Sequence, residues 1–293
     1  VRTSFTAPAK EGYKFVRWET GSGATSTSSS YSCTIDLERT YDRGYISSNT
    51  TLTAIYEKND ECIAEGTLIT LADGRQVPVE SLTGSERLLV WNLKTGQFDS
   101  APILFIDREA RTNYSVLNLA FSDGTAVKVI GEHGFWDCNL NQYVYLRQDN
   151  AQDYIGHIFK KQSGEGLETV WSEVQLVSAT VSEETTAAYS PVTAEHLCYF
   201  VNGMLSMPGG IEGLFNIFEA DSETMRYDET LMAADIARYG LFTYEEFSAL
   251  VPVSEEMFEV FGGQYLKVAL GKGLITEERL QYLAGRYAPF FAE

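Results

Sequence analysis

The sequence predicts a mainly β chain that closes on a small helical segment. Short runs of β-branched and aromatic residues recur between Gly, Asp and Asn turns over the first two hundred residues. From Ile211 the hydrophobic period lengthens from two to that of a helix. Two breaker stretches, Lys58-Asn59-Asp60-Glu61 and Pro208-Gly209-Gly210, divide the chain into segments 1–57, 58–210 and 211–293. Charge shifts at the same places. The first segment is neutral, the second carries −10 and the third −9, giving −19 over 293 residues.

Hydrophobic residues make up 44% of the chain, enough for real cores and too many for wholesale disorder. No apolar run reaches the ~18 residues a membrane helix needs. The acidity argues against nucleic acid or an anionic membrane surface as partner. The chain opens on Val1 in mid-pattern, as a piece of a longer protein would, so a missing leader says nothing about compartment.

The first segment is rich in Ser, Thr, Tyr and Gly. Strands are expected at Tyr13–Trp18, Ser32–Ile35 and Thr51–Tyr56, with a loop from Gly21 to Ser30. Gly12, Tyr13, Phe15 and Trp18, followed by Leu52, Thr53, Ala54 and Tyr56, resemble the internalin-type B repeat of bacterial surface proteins. The resemblance implies a small β-rich spacer and an extracellular or cell-surface location. Trp18 and Tyr56 are read as core aromatics, with a binding surface as the alternative.

In the second segment, strand alternation from Thr67 to Leu71 runs into an Asp73-Gly74 turn. Lys94-Thr95-Gly96 separates Trp91 from Phe98, and Asp123-Gly124 precedes Ala126–Ile130. These are hairpins of an all-β body. The block Cys62, Gly66, Thr67, Ile69, Gly74, Val79, Glu80, Leu82 resembles the opening of the Hint fold shared by hedgehog autoprocessing domains and inteins. The family's Thr-x-x-His block falls on Ile130-Gly131-Glu132-His133, and its last block on His196-Leu197-Cys198-Tyr199-Phe200-Val201. The resemblance spans about residues 58–208.

That resemblance implies a single-turnover autoproteolysis. Cys62 attacks the carbonyl carbon of Glu61, the Glu61–Cys62 peptide becomes a thioester, and His133 protonates the departing nitrogen. The substrate is the chain's own N-terminal segment. Ile130 replaces the threonine hydroxyl that orients the amide in the family. Glu132 could supply a polar contact, but on a continuous strand it faces the other way. His196 and Cys198 are further candidates, the histidine one residue early, a slip that turns a strand side chain to the other face. No His-Asn pair ends the domain, which argues against full splicing. Asn202-Gly203 reads as a hairpin turn.

Cys33 and Cys138 are read as packing residues, and nothing in the spacing favours a Cys33–Cys62 disulfide. His133, Cys138, His196 and Cys198 are metal ligands in type, but their spacings match no compact zinc pattern. His157 stands alone, as a structural or surface residue. No cofactor motif is present.

In the third segment, Asp228-Glu229, Thr243-Tyr244-Glu245-Glu246, Ser254-Glu255-Glu256 and Thr276-Glu277-Glu278 each start a helix. About four short helices are expected. Leu231, Ile236 and Tyr239, then Phe247 and Leu250, Phe258 and Phe261, Leu266 and Leu270, and Leu280 and Leu283 give the buried faces. The segment either packs on the β body or docks a partner. Two functions therefore stand from the sequence. One is a self-processing module that releases a surface repeat. The other is a catalytically degenerate Hint domain acting as a structural or interaction module, with a protein or cell-wall component as partner.

Overall fold

The computed structural model describes residues 2–7, 13–21, 23–26, 28, 30–35, 45–46, 51–58, 61–164, 166–210 and 216–291. The chain forms two compact units, Val1–Asn59 and Asp60–Glu293. The molecule is mainly β, and among the described residues its α-helices are confined to the C-terminal part.

The first unit holds β1 (Arg2–Thr6), β2 (Tyr13–Thr20), β3 (Thr25–Ser26), β4 (Ser30–Ile35), β5 (Tyr45–Ile46) and β6 (Leu52–Lys58). They form two three-stranded sheets, β1-β4-β5 and β3-β2-β6. The β2–β6 pair sets Phe15 opposite Tyr56 and Trp18 opposite Ala54, with a register shift between Phe15 and Arg17. Trp18 is 5% exposed, a core aromatic as its pattern predicts. The side chains of Tyr13, Phe15, Cys33 and Tyr56, and the joint residues Asn59 and Asp60, lie outside the described residues.

The second unit begins with β7 (Glu61–Ala64), β8 (Leu68–Thr70), β9 (Gln76–Pro78), β10 (Arg87–Asn92), β11 (Gln97–Phe121) and β12 (Ala126–Asp137). It continues with β13 (Gln142–Arg147), β14 (Ile158–Ser163), β15 (Val170–Thr193), β16 (Tyr199–Val201) and β17 (Met204–Met207). Strand order is β10-β11-β12-β7-β15-β14-β17-β16-β8-β9, with β13 beside β12. The hairpins turn where the glycines predict, because Gly74, Gly96 and Gly124 take positive φ that a side chain resists. Trp91 pairs with Phe98 in register, and their rings meet edge-on at 5.0 Å. Asn202 and Gly203 form the β16–β17 turn. The Asn202 amide is locked there: its oxygen accepts from Leu68 N–H at 2.7 Å and its nitrogen donates to Ala126 O at 2.6 Å.

Five α-helices follow among the described residues: α1 (Glu229–Tyr239), α2 (Tyr244–Leu250), α3 (Glu255–Val260), α4 (Gly263–Gly271) and α5 (Glu277–Tyr287). Asp228, Thr243, Ser254 and Thr276 cap α1, α2, α3 and α5 with their side chains, each cap stabilising its helix by about 1 kcal/mol. The extra helix is α4. It starts after Gly262 in the left-handed region with no side-chain cap, so Leu266 and Leu270 mark its face in the sequence but nothing marks its start. Leu231, expected on a buried face, is 40% exposed, and α1 buries no residue fully.

The helices pack on the β body. Trp91, Phe200 and Met207 of the strands share one apolar core with Phe258, Leu266, Leu283 and Tyr287 of the helices. A second core, with Ile63, Ile69, Leu117, Phe135 and Tyr199, lies within the strands. No helix among the described residues is long and apolar enough to cross a membrane.

Candidate functional site

Strand β7 carries Cys62 into the middle of the sheet. It lies between β12 and β15, with Cys62 opposite Ile130, Glu61 opposite Gly131, and Tyr189 opposite Ile63. All four β7 residues are buried, which follows from their position between two partners. The Cys62 side chain sits in a small apolar cluster with Ala64, Tyr114, Val116, Ile130 and Ala188. Ile130, where the sequence departs from the Hint-type pattern it resembles, is therefore the residue facing Cys62.

Gly131 explains how β12 brings more than one functional side chain inward. Its φ of 74° breaks the alternation, and beyond it β12 changes partners from β7 to β13 and β17. Glu132 and His133 are both buried as a result. The expectation that Glu132 turns away held only for a continuous strand. The strand is kinked, and Glu132 Oε1 accepts from Gly210 N–H at 2.9 Å.

His133 is fully buried, and its Nε2 lies 3.1 Å from the Tyr199 hydroxyl. Burial holds its pKa down to about 3, against an upward pull from the Glu132 backbone. The ring is therefore neutral at pH 7. Its Nδ1 makes no hydrogen bond of good geometry among the described residues. Burial also pushes the Tyr199 phenol well above its ordinary value, and Cys62 and Tyr287 beside it add to that rise. Tyr199 thus links His133 to the surroundings of Cys62. The sequence pointed instead to His196 at this block. The Tyr199-Phe200-Val201 run was the available signal, since its first residue faces the inner core.

His196 and Cys198 lie elsewhere. Cys198 Sγ receives the Trp91 N–H and donates to the Trp91 carbonyl, both at 3.3 Å, and burial raises its pKa to about 11. It is a buried thiol committed to the Trp91 backbone. His196 stands between Glu195 and Leu197, two residues at positive φ, and lines a cavity of about 560 Å³ with Trp91, Lys94, Val260 and Tyr265. Burial lowers its pKa, opposed by Asp99 and Glu195. Neither residue joins Cys62 and His133. Cys138 is half-buried, and burial raises its pKa to about 12. His157 is not solitary: its Nδ1 lies 2.6 Å from buried Asp137. No group of three or more His, Cys, Asp or Glu suited to a metal occurs among the described residues.

Glu61, directly before Cys62, is held by parts of the chain outside the motif blocks. Gly209 and Gly210 press on Glu61: a Cβ on Gly209 would stand 2.5 Å from Glu61 Cβ, and one on Gly210 2.0 Å from Glu61 Oε2. Arg279 of α5 reaches Glu61 Oε1 and Glu132 Oε1, each at 3.5 Å, while Arg147 reaches Glu132 Oε2 at 3.3 Å. The buried Tyr287 phenol of α5 lies 3.5 Å from Gly209 O.

Residues 1–60 match the family model of the Divergent InlB B-repeat domain. No curated protein matches the chain. Among solved structures, the chain is similar to a DnaB intein from Synechocystis at 16% identity, covering 50% of this chain and 98% of that one, with a TM-score of 0.41. A DnaX mini intein from Spirulina platensis shares 14% identity over 50% and 99%, at 0.41. A bacterial intein-like domain from Clostridium thermocellum shares 17% over 50% and 98%, at 0.40.

Proposed function

We propose that residues 58–210 form a self-processing module that cleaves the chain at Glu61–Cys62 and releases the B repeat of a bacterial surface protein. One observation carries the reading. The Glu61–Cys62 peptide lies on the strand paired with β12, and β12 kinks at Gly131 to bury His133 against the Tyr199 hydroxyl.

The chemistry follows from the two ring nitrogens. When Tyr199 donates to Nε2, Nδ1 carries the proton of the neutral imidazole and can give it to the departing amide nitrogen. Cys62 Sγ bonds to the Glu61 carbonyl carbon and the C–N bond to Cys62 breaks; as the nitrogen takes the Nδ1 proton, Nε2 takes that of the Tyr199 hydroxyl, and the Cys62 thiol proton restores the hydroxyl, so one proton in all reaches the new amine. Water or a thiol then breaks the C–S bond and regenerates the Cys62 thiol. Absence of a His-Asn end supports cleavage without splicing. The B repeat at residues 1–60 supports a surface setting.

Treating the purified chain with dithiothreitol or hydroxylamine tests this. Mass spectrometry should detect a fragment ending at Glu61 in wild type and none in Cys62→Ala. Full-length wild type under every condition refutes the reading.

The second reading, a non-catalytic structural module, is favoured by Ile130. Its apolar side chain faces Cys62 where a hydroxyl would orient the amide, and loss of one such contact costs about 10²–10³ in rate.

A further inference from the structure

The last helix belongs to the junction. The third residue of α5, Arg279, stands between two carboxylates, and the residues form a line of alternating charge: Arg147, Glu132, Arg279, Glu61. Each carboxylate is almost wholly buried, with side-chain exposure of 2% at Glu61 and 11% at Glu132. Burying a carboxylate without a cation is costly, so this pairing is a condition for Glu61 to sit where it does. Gly209 and Gly210 fit the other side of the same residue, leaving no room for a Cβ at either position. Glycine is needed at 210 for a second reason, its φ of 79°. The residue before the nucleophile therefore occupies a shaped, charged pocket. Its cation comes from the helical segment, and its wall from the end of the β body.

We propose that Arg279 and the Gly209-Gly210 wall form a recognition site for an acidic side chain at the position before the nucleophile. Arg279 acts as a positioning residue that fixes the carbonyl to be attacked. The proposal rests on self-processing at Glu61–Cys62 and deepens it. It names the substrate class as a chain with a glutamate before the cysteine, and it makes the helical segment part of the site. A glutamine keeps the shape and loses the charge, which leaves Arg279 and Arg147 sharing one carboxylate. Arg279→Gln removes the cation that Glu61 and Glu132 share, while Arg147 still reaches Glu132.

The test uses the full chain with two readouts. The first is the rate of dithiothreitol-induced cleavage in wild type, Glu61→Gln, Arg279→Gln, Arg279→Lys and the double Glu61→Gln/Arg279→Gln. Each single neutral variant should slow cleavage about five- to tenfold, the scale of one charge-assisted contact. The double should be no slower than Arg279→Gln alone, and Arg279→Lys should recover part of the rate. Independent effects on folding would add in the double and would not be relieved by lysine. The second readout is hydrogen exchange in α5, which does not require cleavage. Glu61→Gln should speed exchange over Leu280–Ala284 and leave α1 unchanged. Cleavage at the wild-type rate in Glu61→Gln and Arg279→Gln overturns the proposal, and so does α5 exchange indifferent to Glu61. If no variant cleaves while α5 exchange responds to Glu61, self-processing falls and the acidic pocket stands.

Discussion

Replacing His133 with glutamine should flatten the acid side of the stability profile by about one proton. In the folded chain, burial holds the His133 pKa at about 3, whereas its ordinary value is 6.5. Below pH 6.5 the unfolded chain binds a proton that the folded chain refuses. Stability is therefore lost as pH falls from about 6.5 towards about 3, and the effect vanishes above 6.5. One proton is worth about 1.4 kcal/mol per pH unit, so the loss between pH 7 and pH 5 is about 2 kcal/mol, and about 3 kcal/mol by pH 4. His196 titrates in the same direction, as its pKa is also lowered by burial. Because His196 and the carboxylates are common to both proteins, their contributions cancel in the difference. The measurement is urea unfolding of wild type and His133→Gln at pH 7, 5 and 4, followed by near-ultraviolet circular dichroism. The two should converge as pH falls, because only wild type must exclude that proton. Parallel profiles would mean that His133 is not held neutral, and the tautomer argument for Nδ1 would fall with it.

Two further outcomes follow. Ile130→Thr places a hydroxyl opposite Cys62; it should raise thiol-induced cleavage about ten- to a hundredfold, read by mass spectrometry, at a stability cost of about 1–2 kcal/mol. Gly210→Ala should destabilise the chain by about 2 kcal/mol or more in urea titration, while Gly66→Ala, also at positive φ but facing open space, should cost about 1 kcal/mol.

Much of the fold is legible where local chemistry decides it. Asp73-Gly74, Asp123-Gly124 and the Thr243 capping box act through their own backbone, and they do so wherever the chain takes them. The start of the site is legible for the same reason, since Cys62 sits in a dense local block. What escapes is set by partners distant in sequence. Helix α4 has no cap of its own and forms because Leu266, Val268 and Ala269 join a core built elsewhere. Glu132 was misplaced by strand alternation, a rule that Gly131 interrupts. Arg279 carries no motif and Tyr199 stands in the last block without a role of its own; their parts exist only once β12, β16 and α5 converge. Cys198 shows the converse: its motif position is suggestive, but its sulfur is committed to the Trp91 backbone.

The glycines against Glu61 have one more consequence. The polypeptide enters the β body at Glu61 and leaves it at Gly209, where an added Cβ would lie 3.1 Å from the Glu61 Cα. Entrance and exit touch. Glu61 and Gly209 meet as the two ends of a loop do, so the β body sits in the chain as an insertion would, while the helices that follow close its core.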